Sequence, residues 1–289
     1  MPKVTVNNIE LNYADRGEGD VLLMIHNVVA NITAYQQNID FLSRHFRVIA
    51  CDLRGHGQTT HHDQEQGARA FYTFDNIAED ISQLLAHLEI ERFCVLGQAY
   101  WGVSTAAHVF ARHAERIDGI VFAACDLVAT DESADLFTIL GEQAAANFHK
   151  MIALAREKGM MGVFEERLNS KTFWGPSLLN SPEILTRFEE MHRQTSATAF
   201  SNFPRFSKAR LAEVLEKIEQ HKPSVMLLMG VEDSHNEPMM ANMRHMIPGI
   251  HIAILPYCGH YLAIENPQDF NRAVYNFLSG VMLRRSFQE

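Results

Sequence analysis

Short β-rich apolar runs alternate with amphipathic stretches over the first 124 residues, and this alternation constrains the fold more than any other feature. Continuous apolar runs of the buried-strand type lie at 21–25, 46–50, 93–96 and 119–124. Between them, 34–42 and 75–88 have apolar residues at helical spacing, the second with Asp75 as a candidate N-cap. Because strand–helix–strand repeats fold as parallel strands covered on both faces, the sequence predicts an α/β protein with a mostly parallel sheet flanked by helices.

The pattern changes after this first part of the chain. A hairpin is predicted around Asn7-Asn8 at the start, but 133–222 contains no strand-like run and many aromatic residues. Strand character returns at 224–229 and 250–255, and a final helix is predicted over 267–283. We therefore expect a core formed by 1–132 and 223–289, interrupted by a helical cap at 133–222.

Composition narrows the possible functions. Of the 289 residues, 47% are hydrophobic and 21% charged, and the formal net charge is −10. An acidic chain is a poor partner for nucleic acid or an anionic membrane, and no apolar run approaches the ~18 residues of a spanning helix. The first residues lack the apolar core of a signal peptide, so we expect a cytoplasmic protein. Four widely spaced cysteines suggest neither disulfides nor a zinc site, and we expect no metal or cofactor.

Three segments follow predicted strands directly, at the edge where open α/β sheets bind ligands. Residues 95–102 run from a strand through a sharp turn into a helix. Residues 230–233 end in Asp233, and 257–261 contain His260.

These segments, together with 13–19, 25–26, 52–59 and 259–267, resemble the α/β-hydrolase superfamily over nearly the whole chain. The resemblance implies a nucleophile at position 99, with His260 as its general base. Asp233 would fix the tautomer of His260 and stabilise the imidazolium. It also implies an oxyanion hole formed by the backbone N–H groups of Val28 and Tyr100. Asp126, after the strand at 119–124, is a second candidate for the acid.

The chain departs from the family pattern at three positions. Ala99 has no oxygen or sulfur with which to attack, so the chain is either an engineered Ser→Ala form or a natural non-hydrolytic member. Asn27 stands where glycine is usual in the loop after His26. Trp101 stands where a small residue is usual, and we expect it to displace the elbow and crowd the oxyanion region.

The resemblance predicts an enzyme that cleaves an ester, a lactone or a C–C bond next to a ketone in a small apolar substrate. The alternatives are a cofactor-independent dioxygenase or lyase that uses only the His–Asp pair, and a non-catalytic small-molecule receptor. The residues expected to contact the ligand are His26, Asn27, Trp101, Asp126, Phe137, Phe148, His149, Trp174 and His192. Oligomeric state is left open.

Overall fold

The computed structural model of the chain describes residues 1–130, 142–171, 175–233 and 236–287. Within them, eight strands form one sheet in the order β1-β2-β4-β3-β5-β6-β7-β8. The strands are β1 (Lys3–Val6), β2 (Ile9–Arg16), β3 (Val21–Ile25), β4 (Arg47–Cys51), β5 (Phe93–Gln98), β6 (Ile117–Ala123), β7 (Ser224–Gly230) and β8 (His251–Leu255). The pairs β1–β2 and β2–β4 are antiparallel and the others are parallel, which confirms the predicted mostly parallel α/β sheet.

The α-helices of the described residues follow the strands on both faces of the sheet. They are α1 (Gln36–Leu42), α2 (Ala68–Phe71), α3 (Phe74–His87), α4 (Ala99–His113), α5 (Glu142–Ser170), α6 (Pro176–Leu179), α7 (Pro182–Arg193), α8 (Ala197–Ser201), α9 (Lys208–His221), α10 (Asn236–Met246), α11 (Leu262–Glu265) and α12 (Pro267–Ser286). None of these helices is long and apolar enough to cross a membrane.

Local chemistry explains two of the element boundaries. Asn7 and Asn8 both have left-handed backbone, at φ 42° and 62°, as a two-residue turn between antiparallel strands requires, and the predicted hairpin is confirmed. The predicted N-cap Asp75 is wrong. The helix begins one residue earlier, at the buried Phe74, so Thr73 is the residue whose side chain accepts a hydrogen bond from the backbone N–H of Asn76.

The central strands are buried on both faces. In β3, Leu23 and Ile25 belong to one apolar core, while Leu22 and Met24 belong to a second core on the other face. The sequence of a strand that is buried on both faces is a continuous apolar run, without alternation of apolar and polar residues. Because β3 and β5 to β8 are parallel, the loops after them emerge at one edge of the sheet, which we call the carboxyl edge.

Helices α5 to α9 lie between β6 and β7 in the chain, and we call them the inserted helices. No strand occurs among the described residues of 142–221, in agreement with the helical pattern of that stretch. The inserted helices contact the carboxyl edge through residues described below. The limits 133–222 for a separate cap stay a prediction.

Candidate active site

The turn between β5 and α4 has the shape of a nucleophile elbow. Ala99, the first residue of α4, has φ 52°, in the left-handed region that costs an L-residue about 1–2 kcal/mol. A Cβ atom on Gly97 would clash with the carbonyl oxygen of Gly102, and one on Gly102 would lie 2.6 Å from that of Ile25. β5 and α4 therefore contact each other through backbone atoms at these two glycines, and this contact holds Ala99 in its strained conformation.

Trp101 does not displace this elbow, contrary to the expectation from the sequence. The residue that must be small is Gly102, while the indole of Trp101 points into the core and is fully buried. Its ring lies 5.1 Å from that of His56 and 5.7 Å from that of Phe203, measured between centroids.

His260 and Asp233 meet at the carboxyl edge. Nδ1 of His260 lies 2.8 Å from Oδ2 of Asp233, and both side chains are largely buried. A carboxylate can only accept, so Nδ1 carries the proton and Nε2 is left as the basic nitrogen. Asp126 makes a different contact: it accepts a hydrogen bond of 3.1 Å from Nδ2 of Asn242, and burial raises its pKa.

Glu265 holds the loop that carries His260. Its two carboxylate oxygens accept hydrogen bonds from the backbone N–H groups of Gly259, at 2.9 Å, and Tyr261, at 2.8 Å. Burial raises the pKa of Glu265, and the two amides oppose that shift. The carbonyl oxygen of His260 accepts from Nε2 of Gln98 at 3.3 Å. The histidine loop is thereby tied both to α11 and to the elbow.

The predicted oxyanion donor at Val28 is engaged within its own loop. Its N–H donates to Oδ1 of Asn27 at 2.7 Å. The ring of His26 fixes this loop: its Nε2 accepts from the N–H of Leu53 at 2.9 Å, so its Nδ1 donates to the carbonyl oxygen of Asn27 at 2.7 Å. Burial lowers the pKa of His26 to about 4, which keeps the ring neutral.

Tyr100 supplies the other predicted donor from the first turn of α4, where backbone N–H groups have no intrahelical partner. Its phenol ties the elbow to the loop before α9, because Oη accepts from the N–H of Phe206 at 3.0 Å. Phe148 of α5 lies 6.0 Å from Phe203, which itself packs on Trp101. Contacts between aromatic rings thus connect α4 to the inserted helices.

The remaining predicted ligand-binding residues lie in different places. His149 is exposed and lines a cleft of about 790 Å³ that Ala99, Asp233 and His260 do not line. His192 is buried in α7, where desolvation and the nearby Arg167 lower its pKa to about 3. Phe137 and Trp174 lie outside the described residues.

Two contacts between the inserted helices and the site were not predicted. Nη1 of Arg167 donates to Oη of Tyr261 at 2.6 Å. Glu232 accepts from both the hydroxyl, at 2.9 Å, and the backbone N–H, at 3.1 Å, of Ser177. Glu232 precedes Asp233 in the sequence, which could have drawn attention to it, whereas Arg167 reads as an ordinary helix residue.

Comparison with known proteins agrees with this fold. A family model described as "Alpha/beta hydrolase family" matches residues 30–273. A 2-hydroxy-6-oxo-6-(2'-aminophenyl)hexa-2,4-dienoic acid hydrolase of Metapseudomonas resinovorans is 23% identical over 96% of this chain and 90% of its own. 3-Oxoadipate enol-lactonase 2 of Acinetobacter baylyi is 24% identical over 94% of each chain. The crystal structure of an enol-lactonase from Burkholderia xenovorans LB400 superimposes with a TM-score of 0.76 at 19% identity, covering 96% of this chain and 100% of that one.

Proposed function

Because the chain belongs to the alpha/beta hydrolase family, we propose that His260 and Asp233 act as the base and acid of an enzyme that cleaves an ester, a lactone or a ketone-adjacent C–C bond. The observation that carries this proposal is the 2.8 Å hydrogen bond between Nδ1 of His260 and Asp233, at the edge where the elbow also lies. The relatives that match nearly the whole chain, a dienoic acid hydrolase and an enol-lactonase, support a small acyl or keto substrate.

The proposed reaction needs an oxygen at position 99, and we propose that the chain is the inactive Ser→Ala form of a serine enzyme. With serine there, Nε2 of His260 would take the hydroxyl proton while the serine oxygen attacks the substrate carbonyl. The carbonyl electrons would move onto an oxyanion held by backbone N–H groups of Val28 and Tyr100. The protonated His260 would then give its proton to the leaving group, and water would release the acyl group. The undisturbed elbow and the intact His–Asp pair support this interpretation.

Restoring the hydroxyl tests the proposal. We expect Ala99→Ser to increase hydrolysis of a panel of esters, lactones and vinylogous diketones by about a thousandfold or more over the unchanged chain. The double variant Ala99→Ser/His260→Asn is the matched control, and it should lose that gain. Equal rates for the unchanged chain and the Ala99→Ser variant on every substrate that binds would reject the hydrolase mechanism.

One observation favours a second function, a cofactor-independent dioxygenase or lyase that needs no nucleophile. The hydrogen bond from the Val28 N–H to Asn27 Oδ1 engages one of the two predicted oxyanion donors, whereas proton abstraction from a bound substrate needs only the His260–Asp233 pair. This alternative predicts that the unchanged chain is active, with molecular oxygen as the oxidant in the dioxygenase case, and that His260→Asn is inactive. If the hydrolase is correct, Asn27→Gly should instead raise the rate of the Ala99→Ser form by freeing the N–H.

A further inference from the structure

Arg167 is a buried cation with no anionic partner among the described residues. Its side chain is almost fully buried, and its single hydrogen bond there is the 2.6 Å contact from Nη1 to the phenol of Tyr261. Nε is buried with no hydrogen-bond partner. Of its acidic neighbours in α5, Glu166 pairs with Lys150 at 2.7 Å and Glu165 is exposed. The edge of the guanidinium formed by Nε and Nη2 therefore has no partner within the described chain.

Such a charge is costly to leave alone. A guanidinium does not lose its proton in a protein, so burial cannot neutralise it as it would a lysine, and an uncompensated buried charge destabilises the fold by several kcal/mol. The Nε–Nη2 edge is one of the two edges of a guanidinium that can bind a carboxylate through two parallel hydrogen bonds. A single guanidinium balances one negative charge, which suits a carboxylate better than a phosphate dianion.

The position of Arg167 connects it to the reaction centre. Tyr261 follows His260 directly, and their ring centroids are 5.5 Å apart. The ring of Phe188 packs on Tyr261 at 4.4 Å between centroids, so the surroundings are apolar and strengthen any charge pairing. Through Tyr261, Arg167 is therefore linked by direct contacts to the loop that carries His260.

We propose that Arg167 binds a carboxylate of the substrate, so that the site takes a small molecule with a free carboxylate at one end and the scissile acyl or keto group at the other. This inference rests on the proposed function, and it replaces the small apolar substrate expected from the sequence by one that carries a negative charge.

Binding to the unchanged Ala99 chain tests this without turnover. The probes are the monomethyl esters of linear dicarboxylic acids from succinate to suberate, each compared with its dimethyl ester by calorimetry. At least one monoester should bind about tenfold or more tightly than its diester. Arg167→Gln should abolish that preference and leave diester affinity unchanged, and Arg167→Lys should restore part of it. Arg193→Gln, which changes an exposed arginine of α7, is the matched control.

The melting temperature gives a second measurement that needs no ligand. Arg167→Met should raise it in the ligand-free chain, because an uncompensated charge is replaced by an apolar side chain of similar length. A lower melting temperature for Arg167→Met, no monoester binding at millimolar concentration, or a preference that survives Arg167→Gln would each overturn the proposal.

The two proposals fail differently. If the monoesters bind through Arg167 but Ala99→Ser does not hydrolyse them, the hydrolase mechanism fails and the carboxylate site stands. If Ala99→Ser hydrolyses the monoesters no faster than the diesters, and Arg167→Gln does not change the monoester rate, the carboxylate site fails and the hydrolase stands.

Discussion

Replacing Glu265 by glutamine removes one of the two acceptors that hold the backbone on either side of His260. In the structure, the carboxylate accepts from the N–H groups of Gly259 and Tyr261 at 2.9 and 2.8 Å. A glutamine can accept only one of them, and its NH₂ group would face the other. An unsatisfied buried amide costs about 1–3 kcal/mol, and bonds to a charged acceptor contribute about 1.5–3 kcal/mol each. We therefore expect Glu265→Gln to lower the free energy of unfolding by about 2 kcal/mol and Glu265→Ala by about 4 kcal/mol.

Urea unfolding followed by far-UV circular dichroism measures the loss, with Glu18→Gln, on an exposed glycine-flanked turn, as the control. In the Ala99→Ser background, we expect Glu265→Gln to lower kcat more than it changes KM, because the histidine loop loses its position while the ligand contacts remain. A Glu265→Gln protein as stable as the Glu18→Gln protein would refute this account of how His260 is held.

Three further predictions concern the elbow, a buried ion pair and acid stability. Ala99→Gly should raise the free energy of unfolding by about 1 kcal/mol, because glycine adopts a φ of 52° without strain. An unchanged melting temperature would show that the backbone of Ala99 is not strained. Asp80→Ala should lower the free energy of unfolding, measured in urea, by about 3–5 kcal/mol, because two nitrogens of Arg54 donate to the Asp80 carboxylate at 2.5 and 2.7 Å and both side chains are buried. A loss below about 1 kcal/mol, the size expected of an exposed salt bridge, would contradict this prediction. Burial lowers the pKa of His26 to about 4 and that of His192 to about 3, so between about pH 6.5 and 4 only the unfolded chain takes up these protons. The free energy of unfolding should fall with decreasing pH there, approaching about 1.4 kcal/mol per pH unit for each histidine, and equal urea midpoints at pH 7.5 and 5 would contradict it.

The features predicted best from the sequence are those that depend on residues close together in the chain. The strand at 21–25 is apolar throughout because both of its faces are covered, and the Asn7-Asn8 turn needs two residues that tolerate positive φ. The sequence could not decide between Asp126 and Asp233, since both follow strands. The decision depends on which loop reaches Nδ1 of His260, and in the structure that loop carries Asp233.

Contacts between distant residues were outside the reach of sequence patterns. Arg167 and Tyr261 are 94 positions apart, and nothing in the spacing of α5 marks one arginine as buried. The contact of Asn27 with the next N–H is local, but it is set by the side-chain rotamer rather than by the residue type. The orientation of Trp101 depends on the rings that surround it, which come from three separate parts of the chain.

The backbone contact between Gly97 and Gly102 has a consequence for the chemistry at position 99. The turn is shaped by glycines and main-chain oxygens, so the side chain of residue 99 adds nothing to its form. Serine, cysteine or alanine would each be presented on the same scaffold, and under the proposed mechanism a single atom at this position decides whether the site can attack a carbonyl group. The fold therefore separates the shape of the site from its reactivity, and one substitution can change the second while the first is kept.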